Sequence, residues 1–587
     1  MFSNRLFYTL LALVVAINFT ALCLPIMEPD NGLYATVAKQ MYLTGDYLNL
    51  YSCGLDFLDK PRLPFLLNVL FMKLFGFGSP TAATAAYKLP ALLCFSGSLW
   101  YTYHFARLNY SRTVAQLAML IFGTAYHVIL SNTDVRAEPF LTLFIIGPAF
   151  HFTKVWQQGE RNEHASLRMI PRSHWLHLVA GSALTACAMM TKGPVVPIAT
   201  VGAGLVINAL LTGHWRGLFH VRWLLAILLT LLFITPELYA LYQQFDLHPE
   251  KVIYGKTGTS GVRFFFWDSQ VGRFLNNGPL RGNGDPLFFT HTLLWALLPW
   301  AFLAYAAVGR AIMGLIRRNN RDAPALPEYV SLGAGLTLFV LFSASRFQLP
   351  HYLNIVFPFY AVLAAHYLTT LTDKALHGWT IAQTIMAGLI LTFVTGVFVW
   401  YQPERLTTGL VWILVLTLGT VIVFWRSDNV NEVADKASAL LTVLMGRMVG
   451  LMVLIGGLIN LFFYPSVMRY QAGMVAAQYT NARPDWTGTT YLYGFQTFGE
   501  SSWTYEYYTR HPTQYVYQDS TLRRLTQTAP VHVFTTAVYA DSLANKGFNV
   551  RRIASFPYYR VSQLSAQFLN PATRPQTLKA YVLARVY

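Results

Sequence analysis

Apolar and polar positions follow two different patterns along the chain. Through the first 465 positions, apolar runs of about 18 or more residues recur, each closed by a polar turn, as bilayer-crossing helices require. Thirteen runs are read as spans: 5–26, 86–105, 113–131, 139–156, 174–190, 194–212, 222–243, 290–313, 329–344, 353–371, 379–400, 409–425 and 445–465. The first follows a basic start, as a signal peptide would. It is too long for a typical signal core and no small-residue cleavage site follows, so it reads as an uncleaved span. Beyond about 466 the pattern changes. TTYLYGF, PVHVFTTAVYA, VRRIASFPYY and KAYVLARVY alternate between polar turns and predict strands.

The expected fold is therefore an all-α polytopic membrane domain over 1–465, carrying a small α/β domain over 466–587. Residues 27–85 and 244–289 are its long outer loops. An amphipathic stretch at 63–77 is expected to line an apolar groove.

Composition sharpens this picture. Of 587 residues, 54% are hydrophobic and only 12% charged, about half the charge of a soluble domain. The net charge of +17 would point to nucleic acid in a soluble protein, but most basic residues here flank apolar spans. They are read as topology signals, and no nucleic-acid partner is expected. With the N-terminus inside, the inner loops hold Arg107, Arg112, Lys154, Arg161, Arg168, Arg172, Arg216, Arg222, Arg317, Arg318, Arg321, Lys374, Arg426, Lys436 and Arg447. The short outer loops hold one basic residue each, so the tail lies outside. Cys23, Cys53, Cys94 and Cys187 have neither metal nor redox spacing.

Acidic side chains near membrane depth are costly and are functional candidates by default. Three clusters stand out. Glu28 and Asp30 follow the first span. Asp56, Asp59, Lys60 and Arg62 surround two prolines. Asp134, Arg136 and Glu138 fill a short turn between spans. Each has a plainer reading: a helix cap at Asp30, a solvated loop around Lys60, and a terminal salt bridge at Asp134. Two further outer turns carry Thr191-Lys192-Gly193-Pro194 and Arg346-Phe347-Gln348-Leu349-Pro350-His351-Tyr352. A transporter would place such groups near the midplane. Here they gather at one face.

In this order the motifs resemble the bacterial members of the dolichyl-phosphate-mannose–protein mannosyltransferase superfamily. Within it, the chain is most similar to the aminoarabinose lipid A transferase-like glycosyltransferases, over roughly residues 5–370. The resemblance rests on Asp30 with Tyr34-Ala35 and Gly45-Asp46-Tyr47, on Asp59-Lys60-Pro61 with Leu74-Phe75-Gly76, and on Thr133-Asp134. It also rests on the intact Thr-Lys-Gly-Pro turn at 191–194, Gly272-Arg273-Phe274, Leu298-Pro299-Trp300, and Leu-Pro-His-Tyr at 349–352. Three positions depart from the pattern: Asn31, Leu33, and Arg62 in place of a second proline.

The resemblance implies a GT-C fold and a polyprenyl-phosphate sugar donor in a bacterial inner membrane, with a periplasmic tail. The implied reaction is an inverting transfer to a lipid, glycan or protein acceptor. Asp30 is then the candidate base or acceptor-aligning group, and Asp134 orients the acceptor or the base. Lys60, Lys192 and Arg346 would hold the departing phosphate, with Arg62 and Arg136 as further candidates. Glu28, Tyr34 and Tyr352 are expected to contact substrate. No cofactor is required by this reading. Asp59 and His351 form a carboxylate–imidazole pair that would suit a divalent metal such as zinc, manganese or magnesium. The rival readings are a transporter or flippase of lipid-linked sugars, and a scaffold for the tail.

Overall fold

The computed structural model describes residues 3–76, 78–161, 172–277, 281–317, 326–425, 436–495 and 502–587. Arg168, Arg318, Arg321 and Arg426 of the topology reading lie outside them.

Every expected span falls on a helix or a broken helix. Among the described residues, five helices are long and apolar enough to cross a membrane unbroken: Asn4–Cys23, Val195–Thr212, Pro350–Thr369, Asp373–Tyr401 and Lys436–Tyr470. Two further spans are bent pairs. Arg112–Gly123 meets Tyr126–Thr133 at 53°, and Val221–Phe233 meets Thr235–Asp246 at 42°. The other expected spans lie on more polar helices, Pro80–Asn109, Glu138–Arg161 and Arg172–Lys192, or on shorter apolar ones, Ala301–Ile316, Val330–Ala344 and Leu406–Ile422. The protein is a multi-pass membrane protein, and some of its helices are interrupted.

The site is positioned by the first eight helices: α1 (Asn4–Phe19), α2 (Asp30–Thr44), α3 (Leu63–Phe75), α4 (Pro80–Asn109), α5 (Arg112–Gly123), α6 (Tyr126–Thr133), α7 (Glu138–Arg161) and α8 (Arg172–Lys192). α7 packs between α4 and α8. The amphipathic stretch is α3, in the 27–85 segment, ahead of α4.

Breaks in membrane helices free backbone groups that need partners where water is absent. Here two breaks satisfy each other. Between α5 and α6, the Tyr126 amide donates to the Leu298 carbonyl at 3.0 Å. In return, Trp300 Nε1 donates to Thr124 Oγ1 at 2.9 Å. A lysine does the same for the end of α1. The Lys88 side chain is fully buried in α4. Its ammonium donates to the carbonyls of Ala21 (3.1 Å), Leu24 (2.9 Å), Pro25 (3.2 Å) and Thr133 (3.1 Å). The exits of α1 and α6, which lead to Asp30 and Asp134, are thus tied to one cation.

The tail holds a five-stranded mixed sheet of β3 (Thr490–Tyr493), β4 (Thr513–Val516), β5 (Val531–Thr536), β6 (Val550–Tyr558) and β7 (Lys579–Val586); the short hairpin β1 (Tyr51–Ser52) and β2 (Leu55–Asp56) lies in the 27–85 segment. The order is β4-β3-β5-β7-β6, with β3 parallel to both neighbours and β7 antiparallel to both of its own. Two details differ from the sequence expectation. The PVHVFTTAVYA run is strand only to Thr536, because the Thr536 side chain accepts from the Tyr539 amide and caps a helix over Ala537–Asn545. The short strand β4 carries no alternating pattern strong enough to read.

Lys88→Met keeps the side-chain length and strands the four carbonyls. We expect a lower detergent melting temperature, reflecting a loss of about 2 kcal/mol or more. An unchanged melting temperature would contradict the bracing role.

Candidate active site

α1 and α5–α6 both run toward one end of the bundle, and α8 ends there as well. Their exits bring Asp30, Asp134, Glu138 and Lys192 together. Asp30 occupies the first turn of α2. Pro29, not Asp30, is the N-cap, and it makes no side-chain capping bond. The helix-cap reading of Asp30 therefore does not hold. Its carboxylate instead meets Arg136 Nη1 at 3.0 Å.

Arg136 is the hub. Its guanidinium pairs with Asp30, donates twice to Asp134 Oδ2, and donates through Nη1 to His351 Nδ1 at 2.9 Å. Arginine only donates, so His351 Nδ1 accepts and its proton sits on Nε2. That Nε2 lies 3.7 Å from Glu138 Oε1. The same Glu138 oxygen accepts from Lys192 at 2.6 Å, and the Lys192 ammonium stands 3.8 Å from the centre of the Tyr352 ring. The terminal salt bridge expected at Asp134 is present, and it is one link of a longer chain.

A second group lies beside it. Asp59 pairs with Lys60 at 3.0 Å and with Arg273. Burial pushes the Asp59 carboxyl up, but Lys60 and Arg273 outweigh it and hold the group below the usual carboxylate range. Asp134 goes the other way. Its burial raises it, and Arg136 offsets only some of that. The two groups together contain four acids and four bases: Asp30, Asp59, Asp134 and Glu138 against Lys60, Arg136, Lys192 and Arg273.

The Thr-Lys-Gly-Pro turn has a steric explanation. Lys192 closes α8, and Gly193 reverses the chain at φ +91°. A Cβ there would lie 2.1 Å from Gln270 Nε2, and that amide donates to the Lys192 carbonyl at 3.3 Å. Only glycine allows both the left-handed turn and this approach.

The paired cations open onto a cavity of about 250 Å³. Asp59, Lys60, Lys192, Arg273 and Tyr352 form its polar end, while Val195, Val196, Leu241, Phe265 and Phe342 are among its apolar walls. One end can take an anion and the rest can take hydrocarbon.

Several expected residues sit elsewhere. Arg62 is 3% exposed and fully engaged. It donates to Glu237 Oε1 at 2.9 Å, Gln244 Oε1 at 2.8 Å and the Leu48 carbonyl at 2.6 Å. It braces the Asp59–Lys60 loop against Thr235–Asp246 and does not face the cavity. Arg346 lines a separate, more open cavity of about 730 Å³ with Asn283, Gly284 and Ser343. Glu28 is buried under the tail, where its Oε1 accepts from the Thr504 amide and hydroxyl. Tyr34 differs from these: it is buried against the Phe65 ring, yet it lies close enough to Glu138, Asp30 and Asp59 for their charges to act on its hydroxyl. Asp59 has cations on its oxygens, and His351 faces Arg136 and Glu138. Among the described residues no three His, Cys, Asp or Glu side chains gather as metal ligands, so the Asp59–His351 pair does not fit a metal in this arrangement.

Two residues of the site, Arg273 and Glu138, were given no individual role there from the sequence. Arg273 stood in the Gly-Arg-Phe element, and Glu138 was one of few acids at a span entrance.

A bundle of broken membrane helices with acids, bases and an apolar cavity at one end has the GT-C architecture. The crystal structure of ArnT from Cupriavidus metallidurans bound to undecaprenyl phosphate superposes with a TM-score of 0.71 at 21% identity, covering 98% of this chain and 97% of that one. An oligosaccharyltransferase from Archaeoglobus fulgidus superposes at 0.53 with 10% identity, over 93% and 73%. No protein-family model matches. In sequence, the chain is similar to undecaprenyl phosphate-alpha-4-amino-4-deoxy-L-arabinose arabinosyl transferases. The one from Edwardsiella ictaluri is 26% identical over 353 residues, 59% of this chain and 56% of the relative. The one from Enterobacter sp. is 24% identical over 401 residues, 65% and 64%. The matched stretch thus spans well under two thirds of the first of these relatives.

The lowered Asp59 carboxyl has a consequence for stability against pH. A folded-state value below the unfolded one adds stability that is present above about pH 4, the unfolded value, and lost as pH falls through the folded value. The stability gap between wild type and Asp59→Asn, measured by thermal melting in detergent, should hold steady above about pH 5 and shrink on further acidification. A gap that widens on acidification would contradict the pairing.

Proposed function

We propose that the protein is an inverting glycosyltransferase. It moves a sugar from a polyprenyl-phosphate donor to an envelope acceptor, a lipid, glycan or protein group, on the periplasmic face of a bacterial inner membrane. The N-terminus is then cytoplasmic and the tail periplasmic. The observation that carries this reading is the cavity with Lys60, Lys192 and Arg273 at its polar end and hydrocarbon-compatible walls behind them. An ArnT structure that holds undecaprenyl phosphate and shares this fold, and the donor that the sequence relatives are named for, support it. The acceptor class rests on the same relatives.

The donor phosphate takes the polar end, with its lipid tail along Val195, Phe265 and Phe342. The acceptor oxygen attacks the anomeric carbon from the side opposite the phosphate. The new bond is acceptor oxygen to carbon. The bond that breaks joins that carbon to the phosphate oxygen, and its electron pair leaves with polyprenyl phosphate. Lys60, Lys192 and Arg273 meet the charge that develops there, and Tyr352 shapes the wall beside Lys192. Fixed donors aimed at developing charge are each worth about 10²–10³ in rate. Asp30 is 37% exposed, the most open of the four acids, and takes the proton of a hydroxyl acceptor. For an ionised phosphate acceptor it aligns without deprotonating. Arg136 and Asp134 hold it in place. The charges gather at one end of the bundle, which suits transfer at the interface better than carriage across it. No step is routed through a metal, because Asp59 and His351 are committed to other partners.

The test uses purified protein with polyprenyl-phosphate sugars and envelope extracts, following free polyprenyl phosphate by mass spectrometry. Wild type should release it only when acceptor is present. Asp30→Asn should lower kcat by about 10²-fold or more with donor binding retained. Arg273→Met and Lys192→Met should each cost about 10²–10³-fold, while Arg346→Met stays within about threefold of wild type. Movement of intact donor across vesicles without bond cleavage would replace this reading with a transporter.

A further inference from the structure

We propose that the C-terminal domain is a working component of the active site, holding the loop and helix that present Asp30, with Glu28 and Lys39 as positioning residues. This rests on the reading above, in which Asp30 acts on the acceptor.

The contact is made by one short helix of the tail, Trp503–Tyr508, lying against α2. Glu28 stands two residues before Asp30 and receives both the amide and the hydroxyl of Thr504 at 2.7 Å. Lys39, nine residues after Asp30, is 9% exposed. Its ammonium donates to the carbonyls of Glu506 (2.6 Å), Tyr507 (3.0 Å) and Thr509 (2.9 Å). One end of the tail helix is thus tied just ahead of Asp30 and the other end far along α2. Burial draws the Lys39 ammonium down to about 8, as expected for a cation held by carbonyls in a dry contact. A third tie runs from the Ile26 amide to the Tyr508 hydroxyl at 2.8 Å.

Two glycines make room for this docking. A Cβ on Gly32 of α2 would lie 3.1 Å from Trp503 Cβ. One on Gly473, in the tail's own helix Ala472–Asn481, would lie 2.4 Å from Thr504 Oγ1 and 2.8 Å from the Tyr505 amide. On its other side, the tail helix is fixed to the sheet. Tyr505 stacks on Phe534 of β5 at 4.6 Å, and Tyr515 of β4 donates to Glu506 at 2.8 Å. The sheet, the short helix and α2 form one continuous packed path that ends at Asp30. A tail serving only as an appended module would not need its hydrogen bonds concentrated on the residues that flank the acid.

The path predicts a split between binding and turnover. The donor-phosphate groups Lys60, Lys192 and Arg273 stand on other segments. Disturbing the tail contact should misplace Asp30 and leave donor affinity intact. In the full-length protein, Lys39→Met and Thr504→Val should lower kcat at least tenfold, with the Kd for polyprenyl phosphate within threefold of wild type. Thr504→Ser, which keeps the hydroxyl, should restore most of the rate. Amide exchange across residues 30–44 should quicken in the impaired variants and stay unchanged across 235–246. Gly32→Ala gives an independent arm, since alanine favours the helix while crowding Trp503, and it should slow turnover in the same selective way. Variants that turn over like wild type overturn the proposal. So does an equal loss of donor affinity and rate. A wild type that transfers no sugar refutes the reading of the site itself, which the first arm of the assay reports separately.

Discussion

Charges kept beside a membrane interior must be paired, and Arg136 is where that constraint acts. A removed partner leaves a poorly solvated charge, which costs several kcal/mol. Asp134, from its own turn, and Asp30 and His351, from segments far away in the chain, are drawn to one guanidinium, and His351 links it to Glu138. Lys192 then closes on Glu138. The exits of α1, α6 and α8 therefore converge, and the arrangement of the bundle end follows from the need to pair these groups. Lys88 has a matching role deeper in the bundle, where four carbonyls at helix ends share its ammonium.

The same constraint explains why the cations at the cavity are poised rather than idle. Lys60 and Arg273 lean on Asp59, and Lys192 leans on Glu138. Across the two neighbouring groups four acids match four bases, so the lysines and arginine that line the pocket stand ready without a large unbalanced field. A phosphate arriving at the polar end adds negative charge where these donors already converge. The apolar wall behind it excludes water and strengthens each contact. Arg62, where the resemblance leads one to expect a second proline, supports the loop through a buried pair with Glu237 and a bond to Gln244.

Much of this was readable from the chain because its turns are chemically specific. The spans and most of the strands of the tail follow from the apolar pattern, and the GT-C bundle from the resemblance that the turn motifs carry. Asp30, Lys60, Asp134, Lys192 and Tyr352 sit on turns marked by proline or glycine or on scarce acids, and the structure brings them to one end. Partners distant in sequence were not readable. Glu28 looked like a second acid at the site, yet its carboxylate meets Thr504, 476 positions away. Arg62 looked like a phosphate ligand, yet Glu237, 175 positions on, engages it. Arg346 sits on a turn that reaches the cavity through Ser345 and Phe347, while Arg346 itself lines the neighbouring hollow. Arg273 was noted in the Gly-Arg-Phe element but given no role, because a single arginine in a long loop has no local pattern that assigns one. In each case the tertiary surroundings, and not the local sequence, set the role.

The most direct test of the central claim is an experimental structure of the protein with polyprenyl phosphate bound. The account predicts the phosphate within hydrogen-bond distance of Lys60, Lys192 and Arg273, with the lipid tail along Val195, Phe265 and Phe342 and Asp30 still paired to Arg136. A phosphate seated at Arg346, or a lipid bound away from this cavity while Lys192 stays on Glu138, would contradict it.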